Sequence, residues 1–295
     1  MFSGCITALV TPFRGGRLDV RGLRANVAFQ VSSGVDGVLV NGSTGEAASL
    51  SDAESERAVR TVVAAARGRV PVIVGAGTNS TAKSVRAVQR ARRLGADAVL
   101  VVAPYYVKPT QEGLYRHFRA VGDAAGVPVV LYNIPGRSSV NVLPATIERL
   151  ARDCPGLVAV KEASGNIDQT SDIVARCGDR LAVLSGDDSL TLPILAAGGR
   201  GVISVTSNIV PRDVRRMVEE FLAGRPAEAT RLHLDLFPLT KALFIETNPI
   251  PVKAAMGMLG MAAGEPRLPL VPLSRESRPA LRRALRAYGL LGGRR

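Results

Sequence analysis

Eight short apolar runs, rich in β-branched residues, recur through this 295-residue chain as far as Ser204, with helical segments between them. They end near Val10, Val40, Gly75, Ala103, Tyr132, Lys161, Ser185 and Ser204. Each interval is long enough for a loop, a helix and a second loop, the return that a parallel strand requires. Eight such units are what a closed (β/α)8 TIM barrel needs. An open doubly wound sheet is the rival, and it would carry a Gly-rich dinucleotide turn after its first strand. No such turn stands there, and Gly75-Ala-Gly77 lacks the third glycine of that motif. The expected fold is therefore an α/β barrel over residues 1–224, followed by an α-helical region over 225–295.

Local signals place the helices. Ser51-Asp-Ala-Glu54 is a capping box opening a helix to about Ala66, and Thr110 or Gln111 opens another to about Ala124. Pro211 starts a helix to about Leu222, which Gly224-Arg-Pro226 punctuates. Leu232, Leu236, Leu239 and Leu243 continue at near-helical spacing, with Pro238 expected to kink the segment. Pro249-Ile-Pro251 opens a short helix, and Ser274 to Leu290 reads as the last one.

Composition narrows the function. No run approaches the roughly 18 apolar residues of a spanning helix. Residues 1–10 lack a basic leader and read as a first strand rather than a signal peptide. Cys5, Cys154 and Cys177 have no metal or redox spacing, which suits reduced thiols in a cytoplasmic protein. With only His117 and His233, a histidine-built metal site is not expected. The net charge of +13 raises nucleic acid or an acidic membrane as a partner. The arginines, however, are spread over amphipathic segments such as Arg86, Arg90, Arg92 and Arg93, without interleaved aromatics, and read as a solvated face.

Against that arginine-rich background the chain holds only five lysines. One of them, Lys161, ends the apolar run Leu157-Val-Ala-Val-Lys161. Arginine does not deprotonate in a protein, whereas a desolvated lysine can lose its proton and attack a carbonyl. In a barrel the reacting groups lie on the loops that leave the strand C-termini. Those loops carry Asn41-Gly-Ser-Thr-Gly-Glu46, Pro104-Tyr-Tyr106, Tyr132-Asn-Ile-Pro135 with Arg137, Ser185-Gly-Asp-Asp188 and Val202-Ile-Ser204. Each alone reads as a turn, a packing pair or a cap. Together they place a lysine, tyrosines, hydroxyls and an arginine at one mouth. A Schiff-base lysine needs such a proton donor and anion clamp.

These motifs, with Val160-Lys-Glu-Ala163, Gly201-Val-Ile-Ser-Val-Thr206 and Asn248-Pro-Ile-Pro-Val-Lys253, resemble the dihydrodipicolinate synthase/N-acetylneuraminate lyase family of class I aldolases. The resemblance runs from Ser3 to the C-terminal helices. It implies an imine between Lys161 and pyruvate, with no metal or organic cofactor. It also implies Tyr132 as the proton-transfer group, hydrogen-bonded to Thr44, and Tyr106 of a neighbouring subunit completing a relay to solvent. Ser43 and Thr44 would hold the pyruvate carboxylate, while Gly186 and the Ile203 carbonyl would line the site. Arg137 would receive the carboxylate of L-aspartate 4-semialdehyde. The family assembles as a tetramer of two tight dimers, and the condensation belongs to lysine biosynthesis through diaminopimelate.

Sibling aldolases, such as N-acetylneuraminate lyase and 2-keto-3-deoxy sugar-acid aldolases, share the pyruvate half. They typically carry an apolar residue at the position of Arg137. A rival of another class is a catalytically silent basic barrel that binds anions or nucleic acid, which pyruvate-dependent borohydride trapping would separate. One departure concerns regulation. Lysine-inhibited relatives usually carry an acidic residue at the position of Lys83, in a pocket near Ser49, Asn79 and Tyr105. A cation there implies weak or absent lysine feedback.

Overall fold

A computed structural model describes residues 2–292; Met1 and residues 293–295 lie outside that range. Eight parallel strands close into a barrel: β1 (Gly4–Ala8), β2 (Gly37–Val40), β3 (Val72–Gly75), β4 (Ala98–Val102), β5 (Val129–Asn133), β6 (Leu157–Glu162), β7 (Ala182–Ser185) and β8 (Gly201–Ser204). Each strand pairs with its sequence neighbours, and β1 closes the ring against β8 and β2. The (β/α)8 expectation holds, and the expected ends at Val40, Gly75, Ser185 and Ser204 coincide with those observed.

Alternation along the strands divides the apolar residues. On β4, Ala98 and Leu100 face the barrel interior with Ile6, Leu39, Ile73, Val130 and Ile203. Val99 and Val101 face outward to pack beneath the helices with Val38, Val74 and Phe118. Burying each such Leu, Ile or Val contributes on the order of 1.5–3 kcal/mol, so both layers hold the barrel closed. Glycines allow close approach where strands leave the barrel. A Cβ on Gly75 would lie 2.0 Å from the Asn41 carbonyl oxygen, and one on Gly77 2.4 Å from the Val102 nitrogen.

The helices begin with α1 (Val20–Ser32) and α2 (Asp52–Ala66), the latter opened by the reciprocal Ser51–Glu54 capping box. They continue with α3 (Thr81–Arg93) and α4 (Gln111–Ala125), which Thr110 caps and Gly126 ends in the left-handed conformation. After α5 (Pro144–Asp153), α6 (Ile167–Cys177), α7 (Thr191–Ala196) and α8 (Pro211–Leu222) come the three C-terminal helices, α9 (Pro226–Leu243), α10 (Ile250–Met258) and α11 (Arg278–Ala287). Pro238 lies inside α9, which continues past it to Leu243. The last helix is shorter than expected. A turn over residues 275–277 precedes it, and Pro279 stands at its first positions, where a proline is tolerated.

The helical region is not a separate layer. Leu232, Leu236, Leu239, Val252 and Leu281 share one apolar cluster with Cys5 of β1 and Val202 of β8. No helix among the described residues is long and apolar enough to cross a membrane.

Candidate active site

Lys161 reaches the barrel interior because of a bulge. Val129 pairs with Leu157, but the next pair is Val130 with Ala159, so β6 carries one extra residue, Val158. Leu157 packs outward among the helices, and strict alternation from it would turn Lys161 outward too. The extra residue resets the parity, Ala159 faces the interior, and Lys161 follows it. Tyr132 is the register partner of Lys161 on β5, and the lysine Nζ lies 4.3 Å from the centre of its ring.

Both groups are buried, each 6% exposed. Burial, with a smaller push from the Arg137 charge, lowers the Lys161 ammonium to about 8, against an opposing pull from Asp188. A useful fraction of neutral amine is therefore present near neutral pH. Burial raises the Tyr132 phenol to about 12, so it stays protonated and can donate. Gly186 leaves room for its neighbours: a Cβ there would lie 2.6 Å from Ala163 Cβ and 3.0 Å from Lys161 Cε. Ile203 is fully buried in the interior cluster on β8.

The turn from Gly42 to Glu46 follows β2. Thr44 is buried and Ser43 exposed. The Gly45 and Glu46 N–H groups are used inside the turn, on the Gly42 and Ser43 carbonyls at 3.1 and 3.0 Å. Among the described residues the Ser43 and Thr44 amides make no such bond, which leaves two donors for a carboxylate. Arg137 stands on a single helical turn, Pro135–Ser138, with Nη2 donating to the Asn248 carbonyl at 3.2 Å. A polar network of Asn133, Asn141, Glu162 and Gln169 stabilises the base of this loop, with Asn133 Nδ2 reaching Asn141 Oδ1 at 2.8 Å and Glu162 Oε2 at 3.0 Å. A cleft of about 570 Å3 opens over these groups, lined among others by Ser43, Tyr132, Arg137, Asn248 and Tyr105. Lys161 lies behind the tyrosine ring, beneath that wall.

One expectation is corrected. The Thr44 hydroxyl is not bonded to Tyr132; its oxygen accepts from Asn248 Nδ2 at 3.0 Å. Tyr106 does not join the other groups. It is 86% exposed, with φ at +73°, a conformation unusual for a bulky residue.

Two residues were legible only as parts of motifs. Asn248 joins Thr44 to Arg137, although Asn248-Pro-Ile-Pro reads from sequence as a helix opening. Asp188, buried, accepts from the Ser204 hydroxyl and from the Val205 and Thr206 amides at 2.9 and 3.3 Å, and thereby fixes the end of β8. Its sequence signal, Ser-Gly-Asp-Asp, is indistinguishable from a cap.

The sequence pattern of the Dihydrodipicolinate synthetase family matches residues 1–288. A 4-hydroxy-tetrahydrodipicolinate synthase of Pelobacter propionicus is 51% identical over 291 residues, spanning 99% of this chain and 100% of the relative. The corresponding enzyme of Citrifermentans bemidjiense is 50% identical over the same shares of both chains. The crystal structure of dihydrodipicolinate synthase from Thermotoga maritima superposes with a TM-score of 0.97 at 45% identity, covering 99% of this chain and 100% of that one. With a barrel and a strand-borne lysine of this arrangement, the chain belongs to the dihydrodipicolinate synthetase family.

Proposed function

We propose that the chain condenses pyruvate with L-aspartate 4-semialdehyde through an imine on Lys161. The geometry that carries this reading is a buried lysine whose Nζ lies 4.3 Å from the ring centre of a buried tyrosine, the tyrosine itself lining the cleft. Neutral Lys161 attacks the ketone carbon of pyruvate, and loss of water gives the imine. A proton leaves the methyl group, the electron pair flows to the protonated nitrogen, and an enamine results. Its carbon attacks the aldehyde, whose oxygen takes a proton from Tyr132. The substrate's own amino group then displaces Lys161 and closes the ring of 4-hydroxy-tetrahydrodipicolinate. The lysine nitrogen serves as the electron sink, so the scheme calls on no metal or organic cofactor.

The Ser43 and Thr44 amides suit the pyruvate carboxylate, beside Gly186 and Ile203. Arg137, exposed at the cleft, suits the carboxylate of the semialdehyde. Sibling aldolases with uncharged acceptors have no use for it there. The exposed Tyr106, flanked by Tyr105 and Val107 at 41% and 55% exposure, favours a second copy docking on this strip. The partner subunit's Tyr106 would then complete the proton path, in a tight dimer that pairs again into a tetramer.

Product formation from both substrates, coupled to the following reductase, tests the reading. In Arg137→Ala, kcat/KM for the semialdehyde should fall by about 10–100-fold, the worth of a charged hydrogen-bonded pair. Wild-type protein without turnover would move the assignment to a sibling aldolase with another aldehyde.

A further inference from the structure

Away from the reacting groups, Lys253 on α10 and Glu46 form an ion pair whose side chains are 1% and 2% exposed. The ammonium has three acceptors: Glu46 Oε1 at 2.5 Å and the carbonyls of Thr11 and Glu265, each at 3.2 Å. It also lies 4.3 Å from the centre of the Phe13 ring. Glu46 Oε2 accepts from the Arg267 amide at 2.8 Å, and the Arg267 side chain in turn pairs with Glu54. Both carboxylate oxygens are thus held from the C-terminal region.

Glu46 closes the turn that presents Ser43 and Thr44. Its backbone is left-handed, at φ +53°, a conformation that persists in a side-chain-bearing residue when its surroundings impose it. The turn is pressed onto the end of β1 as well. A Cβ on Gly45 would lie 3.1 Å from Thr11 Oγ1 and 3.2 Å from the Leu9 carbonyl oxygen. Thr11 is the residue whose carbonyl Lys253 holds. Five residues before Lys253, Asn248 holds the Thr44 hydroxyl. The turn therefore has one face on the barrel and the other on the helical region.

We propose that Lys253 is a positioning residue for the pyruvate half-reaction: acting through Glu46, it fixes the turn so that the Ser43 and Thr44 amides meet the pyruvate carboxylate. The helical region is on this account part of the active site. The proposal rests on the imine reading above.

The test compares wild type with the double variant Glu46→Gln/Lys253→Met. Removing both charges avoids the uncompensated buried ion that either single change would leave. Lys253→Arg, which keeps the charge but alters the donor geometry, is measured beside it. Steady-state kinetics give KM for each substrate, and intact mass after borohydride reduction gives pyruvate trapped on Lys161. The double variant should show KM for pyruvate raised about tenfold, trapping at subsaturating pyruvate reduced to match, and KM for the semialdehyde within about twofold of wild type.

A folded double variant with unchanged pyruvate KM, or with both KM values raised alike, would overturn the positioning role. Should the double variant not fold, Lys253→Arg decides by the same criterion. Wild-type protein that traps no pyruvate would overturn the imine reading and this proposal with it.

Discussion

Lys161 and Tyr132 face each other across one rung of the barrel, the lysine Nζ 4.3 Å from the centre of the tyrosine ring. They meet because a bulge at Val158 turns the lysine inward. Neither group is solvated enough to keep its ordinary acidity, and burial moves both in the useful direction. It frees the amine to attack and keeps the phenol as a donor. In the proposed reaction, one desolvated rung thus supplies both the nucleophile and the acid.

A pH dependence follows. On the proposed mechanism the attacking species is neutral Lys161, so kcat/KM for pyruvate should fall about tenfold per unit below pH 8 and level off above it. Because the Arg137 charge helps to lower Lys161, Arg137→Met should move this limb to higher pH. Asp188 pulls the other way, and Asp188→Asn should move it lower. A limb that stays in place in both variants would show that some other group controls it.

Gly186→Ala probes the same rung sterically. Its new methyl group would stand 2.6 Å from Ala163 Cβ, which must move, and 3.0 Å from Lys161 Cε, whose stem must give by a few tenths of an ångström. Pyruvate trapping at subsaturating pyruvate should drop by about tenfold as the Lys161 stem is pushed off its position. The circular dichroism spectrum should stay unchanged.

The barrel was legible because each strand is short, apolar and bounded by a turn, so that strand ends at Gly75, Ser185 and Ser204 could be placed to the residue. Lys161, Tyr132 and Arg137 were legible because barrel strands deliver their C-termini to one mouth. The bulge was not, since Val158-Ala159 looks like any other apolar pair and only cross-strand pairing reveals the extra residue. The roles of Asn248 and Lys253 were hidden for a related reason. They act on a turn some 200 residues earlier, across contacts that no local periodicity encodes. The Asn248 amide that meets the Thr44 hydroxyl in place of Tyr132 comes from that same distant segment.

Lys83 bears on regulation. It is exposed in the first turn of α3, while Ser49 and Tyr105 line the large cleft nearby. A fixed cation repels the ammonium groups of a lysine effector. Submillimolar L-lysine should therefore leave turnover unchanged, and Lys83→Glu should introduce inhibition. Inhibition of the wild-type enzyme in that range would refute the expectation.

His117 sets an acid limit on stability. It is 5% exposed between α3 and α4, with Nδ1 bonded to the Thr81 hydroxyl at 2.9 Å and Nε2 without a partner among the described residues. Its ring packs edge-on to Phe118 at 5.2 Å. Burial lowers it from an ordinary 6.5 to about 4. The folded state thus resists a proton that the unfolded chain accepts at higher pH, and stability is lost as pH falls from 6.5 toward 4. Below 4 both states are protonated and the loss stops growing. At 1.36 kcal/mol per unit the full effect is about 3 kcal/mol. Carboxylates titrate nearby in pH, so the comparison is with His117→Gln, which cannot take the proton. Urea unfolding at pH 7 and pH 4.5 should show wild type losing about 2–3 kcal/mol more than the variant. Equal losses in the two proteins would mean that the imidazole takes its proton without unfolding the α3–α4 contact.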